Sequence, residues 1–265
     1  MKLIVDGDLL LYRAAAASEK ETQFGDVWVL WSKFEDAKGI LEEMVGQLEE
    51  QAQTDHVIFA MSDTHNWRKD ILATYKGNRK DTRKPVVYKA LEEYARQHWE
   101  ILQFPSLEAD DVMGMYASRD GYAIWTMDKD LKQCVGTHLV DDDYEEITDP
   151  DGSEFHLKQA LMGDTTDGYG GCPGVGEGTA LEFLRDPYKL VHVGRELKSG
   201  KNKGEIRYTW QKEPTDNVWE GIVSLYAKQG LTEADALVQA RVARILRDGE
   251  YDFEKEEVVL WTPKT

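Results

Sequence analysis

Cysteine is scarce in this chain. Cys134 and Cys172 are the only two, and neither has the short repeat spacing of a zinc site. No disulfide between them is expected in a cytosolic setting, and both read as small packing residues. Long apolar runs are missing too. No stretch approaches the ~20 residues that cross a membrane, and the opening Lys2-Leu3-Ile4-Val5-Asp6-Gly7-Asp8 is broken by two carboxylates, unlike the apolar core of a signal peptide. No membrane partner is expected. Positive charge is also in short supply: 32 Lys and Arg stand against 50 Asp and Glu, a net charge of −18 over 265 residues. At face value that balance works against a nucleic-acid partner. The inference lapses if the acids are metal ligands and the bases are concentrated elsewhere. The length suits one large or two small domains.

What the chain has is carboxylates in pairs. Glu108 and Asp111, in Leu107-Glu108-Ala109-Asp110-Asp111, are three apart and share a face on a helix that begins near Ala109. Asp128 and Asp130 follow the apolar run Tyr122 to Met127, read as a buried strand, and residues two apart at a strand end point the same way. Asp164 and Asp167 form a third pair in Gly163-Asp164-Thr165-Thr166-Asp167-Gly168. Asp6 ends the apolar Leu3-Ile4-Val5, and Asp63 follows Val57 to Met61. Strand C-termini are where open α/β sheets place their ligands. Asp6 could instead cap the next helix, although Asp8 could do that equally well. Two carboxylates ~4 Å apart repel by about 4 kcal/mol at an effective dielectric of 20. Oxygen-only clusters therefore call for hard cations such as Mg²⁺ or Mn²⁺.

Between Trp67 and Arg96 the balance reverses. Arg68, Lys69, Lys76, Arg79, Lys80, Arg83, Lys84, Lys89 and Arg96 outnumber the acids, and Trp67, Tyr75 and Tyr88 are interleaved with them. Cations with aromatics on a loop suit phosphates and unstacked bases; a solvated face is the plain alternative. Pro85 is read as opening a helix through His98. Asp141-Asp142-Asp143 reads as a solvated loop, Asp149-Pro150-Asp151-Gly152 as a turn, and Phe155 to Met162 as a helix. The glycines of Gly174-Val175-Gly176-Glu177-Gly178-Thr179, just before a helix, offer exposed amides suited to an anion. Lys198, Lys201, Lys203 and Arg207 form a second basic cluster, read as a hairpin near a duplex or simply a solvated turn. Thr232-Glu233-Ala234-Asp235 marks a capped helix.

Taken in order, Asp6, Asp63, Tyr75-Lys76-Gly77-Asn78-Arg79, Glu108-Ala109-Asp110-Asp111, Asp128-Lys129-Asp130, Gly163 to Asp167 and the glycine hairpin resemble the flap endonuclease / 5′-nuclease superfamily. The tail, with Leu197 to Gly204 and Ala243-Arg244-Ile245-Leu246-Arg247, is similar to the 5′→3′ exonucleases of T-seven-type podovirus phages. The resemblance implies an α/β fold with a mostly parallel central sheet flanked by helices. It places a PIN/FEN-like nuclease core at 1–150, a basic arch at about 66–96, and a helix–three-turn–helix DNA-binding and C-terminal region at 151–265.

It further implies a metal held by Asp6, Asp63, Glu108, Asp110 and Asp111, partly through water, and a second toward Asp128, Asp130, Asp164 and Asp167. Two such ions, Mg²⁺ with Mn²⁺ as substitute, lie about 3.5–4 Å apart in sites of this type and serve in-line hydrolysis. Asp128 and Asp130 count as catalytic for that reason, and Lys76 and Arg79 as the pair on the scissile phosphate. Arg68, Tyr75, Lys80, Arg83, Lys84, Gly174, Gly176, Gly178 and Thr179 are the further DNA contacts, with potassium expected at the glycine hairpin. The implied activity is 5′→3′ exonucleolytic release of 5′-phosphorylated nucleotides from double-stranded DNA. RNA–DNA hybrids and replication proteins are additional partners, in the cytoplasm of a phage-infected bacterium. The short arch favours duplex ends over threaded flaps, with flap endonuclease action the alternative.

More remote rivals are a haloacid-dehalogenase-type phosphatase and a non-catalytic DNA-binding protein. The first accounts for Asp6-Gly7-Asp8 and Gly163 to Asp167 but leaves Glu108 to Asp111, Asp128, Asp130 and the basic segment unexplained. The second would be expected to have lost ligands, and no motif carboxylate is missing.

Overall fold

In the computed structural model, which describes residues 1–79 and 83–263, the chain opens with β1 (Lys2–Asp6) and α1 (Gly7–Ala17). A hairpin of β2 (Lys20–Phe24) and β3 (Val27–Trp31) follows, then α2 (Phe34–Ala52) and β4 (Val57–Ala60). The short α3 (Arg68–Ile71) and a 3₁₀ turn at Gly77–Arg79 precede α4 (Tyr88–His98), β5 (Glu100–Leu102) and α5 (Ala109–Tyr116). Next come β6 (Tyr122–Trp125), a 3₁₀ turn at Lys129–Gln133, β7 (Gly136–Val140), β8 (Asp143–Ile147) and α6 (Asp149–Met162). The remainder is α7 (Glu177–Arg185), β9 (Tyr188–Glu196), β10 (Ile206–Pro214), α8 (Val218–Lys228), α9 (Glu233–Ala243) and the short β11 (Tyr251–Asp252) and β12 (Glu257–Val258).

Two compact units divide the chain, and neither is contiguous. The first comprises Met1–Trp67, Arg79–Ser153 and Ile245–Val259; the second comprises Arg68–Asn78, Glu154–Arg244 and Leu260–Thr265. The exchange of 68–78 and 245–259 between halves follows from tertiary contacts that no local pattern encodes.

The first unit is built on a 6-stranded sheet ordered β5-β4-β1-β6-β7-β8. Every pairing is parallel except β7 with β8, so the expected mostly parallel α/β sheet is present. Parallel strands are covered on both faces and read as continuous apolar runs. Accordingly Leu3, Ile4, Val5, Ile58 and Phe59 are fully buried, each contributing about 1.5–3 kcal/mol. From β1 the chain moves outward through β4 and β5, then returns to the other side of β1 with β6. That reversal opens a crevice at the C-terminal ends of β1 and β6, the usual ligand position in such sheets. Gly7 lets α1 start against β4: a Cβ there would lie 2.6 Å from Met61 Sδ and 2.9 Å from the Ala60 carbonyl oxygen.

Two local expectations are corrected, and one element had not been expected. The segment after Asp141 is not all loop, because Asp143–Ile147 pairs antiparallel with β7 as an edge strand. Asp149-Pro150-Asp151-Gly152 is the first turn of α6 rather than a free turn, a position where proline costs no hydrogen bond. The β2–β3 hairpin carried no clear sequence signal, since Val27-Trp28-Val29-Leu30-Trp31 is apolar on both faces. It lies open, with Phe24, Val27 and Trp28 each more than 60% exposed.

The second unit packs α7, α8 and α9 around Leu161, Cys172, Ala180, Phe183, Ile222, Leu225, Tyr226 and Ala236. Tyr226 donates to the Ala160 carbonyl at 2.8 Å. Cys172 is buried and forms no disulfide, its thiol pushed up to about 11 by desolvation; Cys134 is also buried and outside any disulfide. The capped helix expected after Thr232 is α9, with a Thr232/Asp235 capping box.

Candidate active site

In the first unit the carboxylates gather where strands end. Asp6 closes β1 and caps α1, its Oδ1 accepting from the Leu9 amide at 3.0 Å. Asp8, expected to do that capping equally well, instead accepts from the Ser62 amide at 2.9 Å and the Tyr88 hydroxyl at 3.0 Å. Asp6 pairs in register with Ala60 of β4, and Asp63 follows three residues later. Asp63 accepts from the Ser106 amide at 2.8 Å, and that bond holds its carboxyl below the usual range. Ser62 joins a third element, its hydroxyl accepting from the Ala109 amide at 3.0 Å at the start of α5. Asp8 and Ser62 thus tie the ends of β1, β4 and α5 together. Asp8 was legible in Asp6-Gly7-Asp8, whereas nothing in the sequence marked Ser62.

Glu108 and Asp111 form a capping box at the N-terminus of α5. Asp111 is fully buried and accepts from the Trp67 indole at 3.0 Å, the Glu108 amide at 3.3 Å and the Leu246 amide at 3.1 Å. Glu108 and Asp110 are half-buried beside it. Asp128 and Asp130 follow β6, but strand alternation does not orient them, because β6 stops at Trp125. Asp128 instead caps the 3₁₀ turn, its Oδ1 accepting from the Asp130 amide at 2.9 Å.

These residues fit a hard divalent ion. Their donors are carboxylate oxygens at a strand-end crevice, without sulfur or imidazole among them. Among the described residues, no group of three or more His, Cys, Asp or Glu side chains forms a ready-made metal cage. Mg²⁺ suits such an open arrangement, since it keeps several waters and uses one or two carboxylates together with substrate phosphate.

The second unit holds the third pair. Gly163 has φ +73 and turns the chain out of α6, after which Asp164 Oδ1 accepts from the Thr166 and Asp167 amides at 2.7 and 3.3 Å. The segment 68–78 docks on this loop. The Lys76 amide donates to the Asp167 carbonyl at 2.7 Å, and Lys76 Nζ lies 3.6 Å from Asp167 Oδ2. Asn78 donates to the Thr166 carbonyl at 3.1 Å. Gly168, at φ +79, passes so close to Thr74 that a Cβ would lie 2.8 Å from its carbonyl oxygen. Lys76 adopts φ +48, a strained conformation for a residue with a side chain.

The basic segment is corrected in part. Trp67, Tyr75 and Tyr88 are buried at 6%, 3% and 3% exposure, so they pack the core rather than offer rings to bases; burial also pushes the Tyr88 phenol up. Arg68 is likewise buried, donating to the Val242 and Arg244 carbonyls at 3.0 and 2.6 Å. Burial withdraws Arg68 and Tyr75 from the expected DNA surface. Arg83 stays exposed in a two-pronged pair with Glu19, 2.8 Å at each contact, which lowers the Glu19 carboxyl. Lys84 lies 4.2 Å from the Tyr88 ring centre. Arg79 ends the 3₁₀ turn, and Lys80 lies outside the described residues. At the glycine hairpin, Gly174, Gly176, Gly178 and Thr179 are all exposed, and Gly176 caps α7.

Residues 1–158 match the family profile described as the 5′-3′ exonuclease, N-terminal resolvase-like domain. The chain is 36% identical to the exodeoxyribonuclease of Enterobacteria phage T3, covering 99% of this chain and 93% of that one. It is 35% identical to the exonuclease of Escherichia phage T7, covering 98% and 93%. A mutant T5 5′-exonuclease structure superposes with a TM-score of 0.52 at 16% identity over 91% of both chains. A zinc-bound T5 5′-exonuclease gives 0.52 at 17% identity over 91% and 93%. Since the profile spans more than half the chain and the phage relatives nearly all of it, this protein is a nuclease belonging to the 5′-3′ exonuclease family.

Proposed function

We propose that this exonuclease removes nucleotides from 5′ ends of double-stranded DNA, with 5′-phosphorylated products and Mg²⁺ as the working metal. The observation that carries the reading is the joining of Asp6, Asp63 and the Glu108–Asp111 turn at the C-terminal edge of a parallel sheet, with Asp128 and Asp130 beyond the adjacent strand. Asp6, Asp63, Glu108 and Asp110 would hold the ion, and Asp111 orients the turn that presents two of them. Asp128 with Asp130 in the first unit, and Asp164 with Asp167 in the second, would be further metal-binding carboxylates. A bound divalent ion supplies Lewis acidity toward the phosphodiester and makes water a better nucleophile.

Lys76 would leave Asp167 for a substrate phosphate, with Arg79 beside it in sequence. The exposed glycines and Thr179 allow close approach of a DNA backbone to the amides opening α7; potassium binding there belongs to the same proposal. RNA in a hybrid is a further substrate, and replication proteins are further partners. No described helix is long and apolar enough to cross a membrane.

The test uses one duplex labelled at either the 5′ or the 3′ end, with Mg²⁺ or with EDTA. Early Mg²⁺-dependent release of the 5′ label as mononucleotides or very short pieces is expected. Cleavage confined to branched substrates would replace the reading with flap endonuclease action. No cleavage with any divalent metal would overturn it.

A further inference from the structure

The β9–β10 hairpin concentrates positive charge on a strongly acidic chain. It bears Lys189, Arg195, Lys198, Lys201, Lys203, Arg207 and Lys212 against Glu196, Glu205 and Glu213. Nine residues per strand make it about 30 Å long at ~3.4 Å per residue. An isolated two-stranded ribbon is marginal in water, so something must stiffen it.

The register supplies that support on one face. Tyr208 opposes Gly194, Trp210 opposes His192, and Pro214 opposes Tyr188. His192 stacks on Trp210 with ring centres 4.7 Å apart and lies 4.9 Å from the Tyr208 ring. Lys212 covers the Tyr188 ring at 3.9 Å, and Tyr188 meets Phe183 of α7 edge-on at 5.4 Å. Thr179, Glu182, Tyr188 and Lys212 line one cavity of about 400 Å³, so the ribbon's base adjoins the helix opened by the glycine hairpin.

Because strand side chains alternate, the opposite face carries Arg195 directly across from Arg207. Beyond them the tip, 197–205, is closed by backbone bonds between Leu197 and Glu205 and between Gly204 and Leu197, both 2.9 Å. Lys198, Lys201 and Lys203 project from it, all exposed. Among the described residues, Arg195, Lys198, Lys201, Lys203 and Arg207 make no ion pair. Like charges across a ribbon destabilise it, and among the described residues no carboxylate forms an ion pair with either arginine.

We infer that the tip and the Arg195–Arg207 face form a second DNA contact surface, gripping the phosphate backbone without reading sequence. The inference takes DNA as ligand from the nuclease reading but needs no metal and no cleavage. Cations spaced along a stiff ribbon suit a polyanion of regular spacing, and their contacts make affinity depend on salt.

The test is binding of a fluorescent duplex in EDTA across 50–200 mM salt, using the full chain. Lys198→Gln/Lys201→Gln/Lys203→Gln is compared with a charge-matched control, Lys33→Gln/Lys38→Gln/Lys255→Gln. Loss of three phosphate contacts lowers the slope of log affinity against log salt by about 2.7, so the gap between wild type and variant narrows about 40-fold across that range. The control should change the slope by less than one contact. Equal slopes for hairpin variant and wild type, or equal effects of the two variants, would overturn the assignment.

Lysine acetylation footprinting of the wild-type chain provides a measurement that requires no variant. Duplex should protect Lys198, Lys201 and Lys203, and equal labelling with and without duplex would overturn the assignment. Either failure leaves the end-labelled cleavage result standing, so the two readings are separable.

Discussion

Replacing Asp111 with asparagine separates a metal ligand from a residue that holds the site in shape. Asp111 is fully buried, and its two oxygens accept N–H groups from Trp67, Glu108 and Leu246. An amide has one accepting oxygen. If that oxygen faces Trp67 and Glu108, the new NH₂ faces the Leu246 amide, donor against donor. The change removes a hydrogen bond to a charged acceptor, about 1.5–3 kcal/mol, and leaves a buried donor unmatched, about 1–3 kcal/mol. The two overlap, giving about 3 kcal/mol in all. At ~2–4 °C per kcal/mol for a chain of this size, the first melting transition should fall by roughly 6–12 °C. The assay is calorimetry of wild type and Asp111→Asn, each in EDTA and in Mg²⁺. A holding role predicts the full loss already in EDTA. A variant that melts with wild type in EDTA, and lacks only the Mg²⁺-dependent gain, would refute the reasoning and return Asp111 to the ligands.

Asp128→Ala or Asp130→Ala should abolish cleavage of labelled duplex while leaving DNA affinity within a few-fold, and wild-type cleavage in either variant would remove both residues from the metal site. Gly7→Ala places a Cβ 2.6 Å from Met61 Sδ and 2.9 Å from the Ala60 oxygen; overpacking of this kind costs about 1–3 kcal/mol, measurable by urea denaturation, and it should reduce cleavage by moving Asp6 relative to Asp63. His138 is buried with its ring 2.8 Å from the Cys134 carbonyl, and desolvation lowers its pKa. The unfolded chain therefore binds the proton more readily, so stability is full above about pH 6.5 and declines as pH falls toward the depressed folded value. Melting temperature against pH should show that decline in wild type and a flatter profile in His138→Gln.

Much was written in the sequence itself. The apolar runs at Leu3 to Val5, Val57 to Met61 and Tyr122 to Met127 supplied parallel strands, ending at Ala60 in the second and Trp125 in the third, because their pattern suits sheets covered on both faces. A carboxylate following such a run stands at the sheet edge whatever the rest of the chain does, which is why Asp6 and Asp63 were legible. Glu108 and Asp111 were also legible, three apart at a helix start, where spacing alone makes them neighbours.

Tertiary structure decided the remainder, because it depends on which distant groups meet. Composition made Trp67, Tyr75, Tyr88 and Arg68 look like a DNA surface, yet packing buried all four. A charged side chain and its apolar neighbours read alike in sequence whether a carbonyl or a phosphate awaits them. The division of labour between Asp6 and Asp8 turned on the position of Ser62 and Tyr88, and the pairing of Lys76 with Asp167 on the docking of 68–78 against a loop some ninety residues later. The cations of the β9–β10 hairpin could be counted in the sequence. Only the register placed Arg195 opposite Arg207 and the aromatic rings on the other face, since alternation assigns faces only once pairing is fixed.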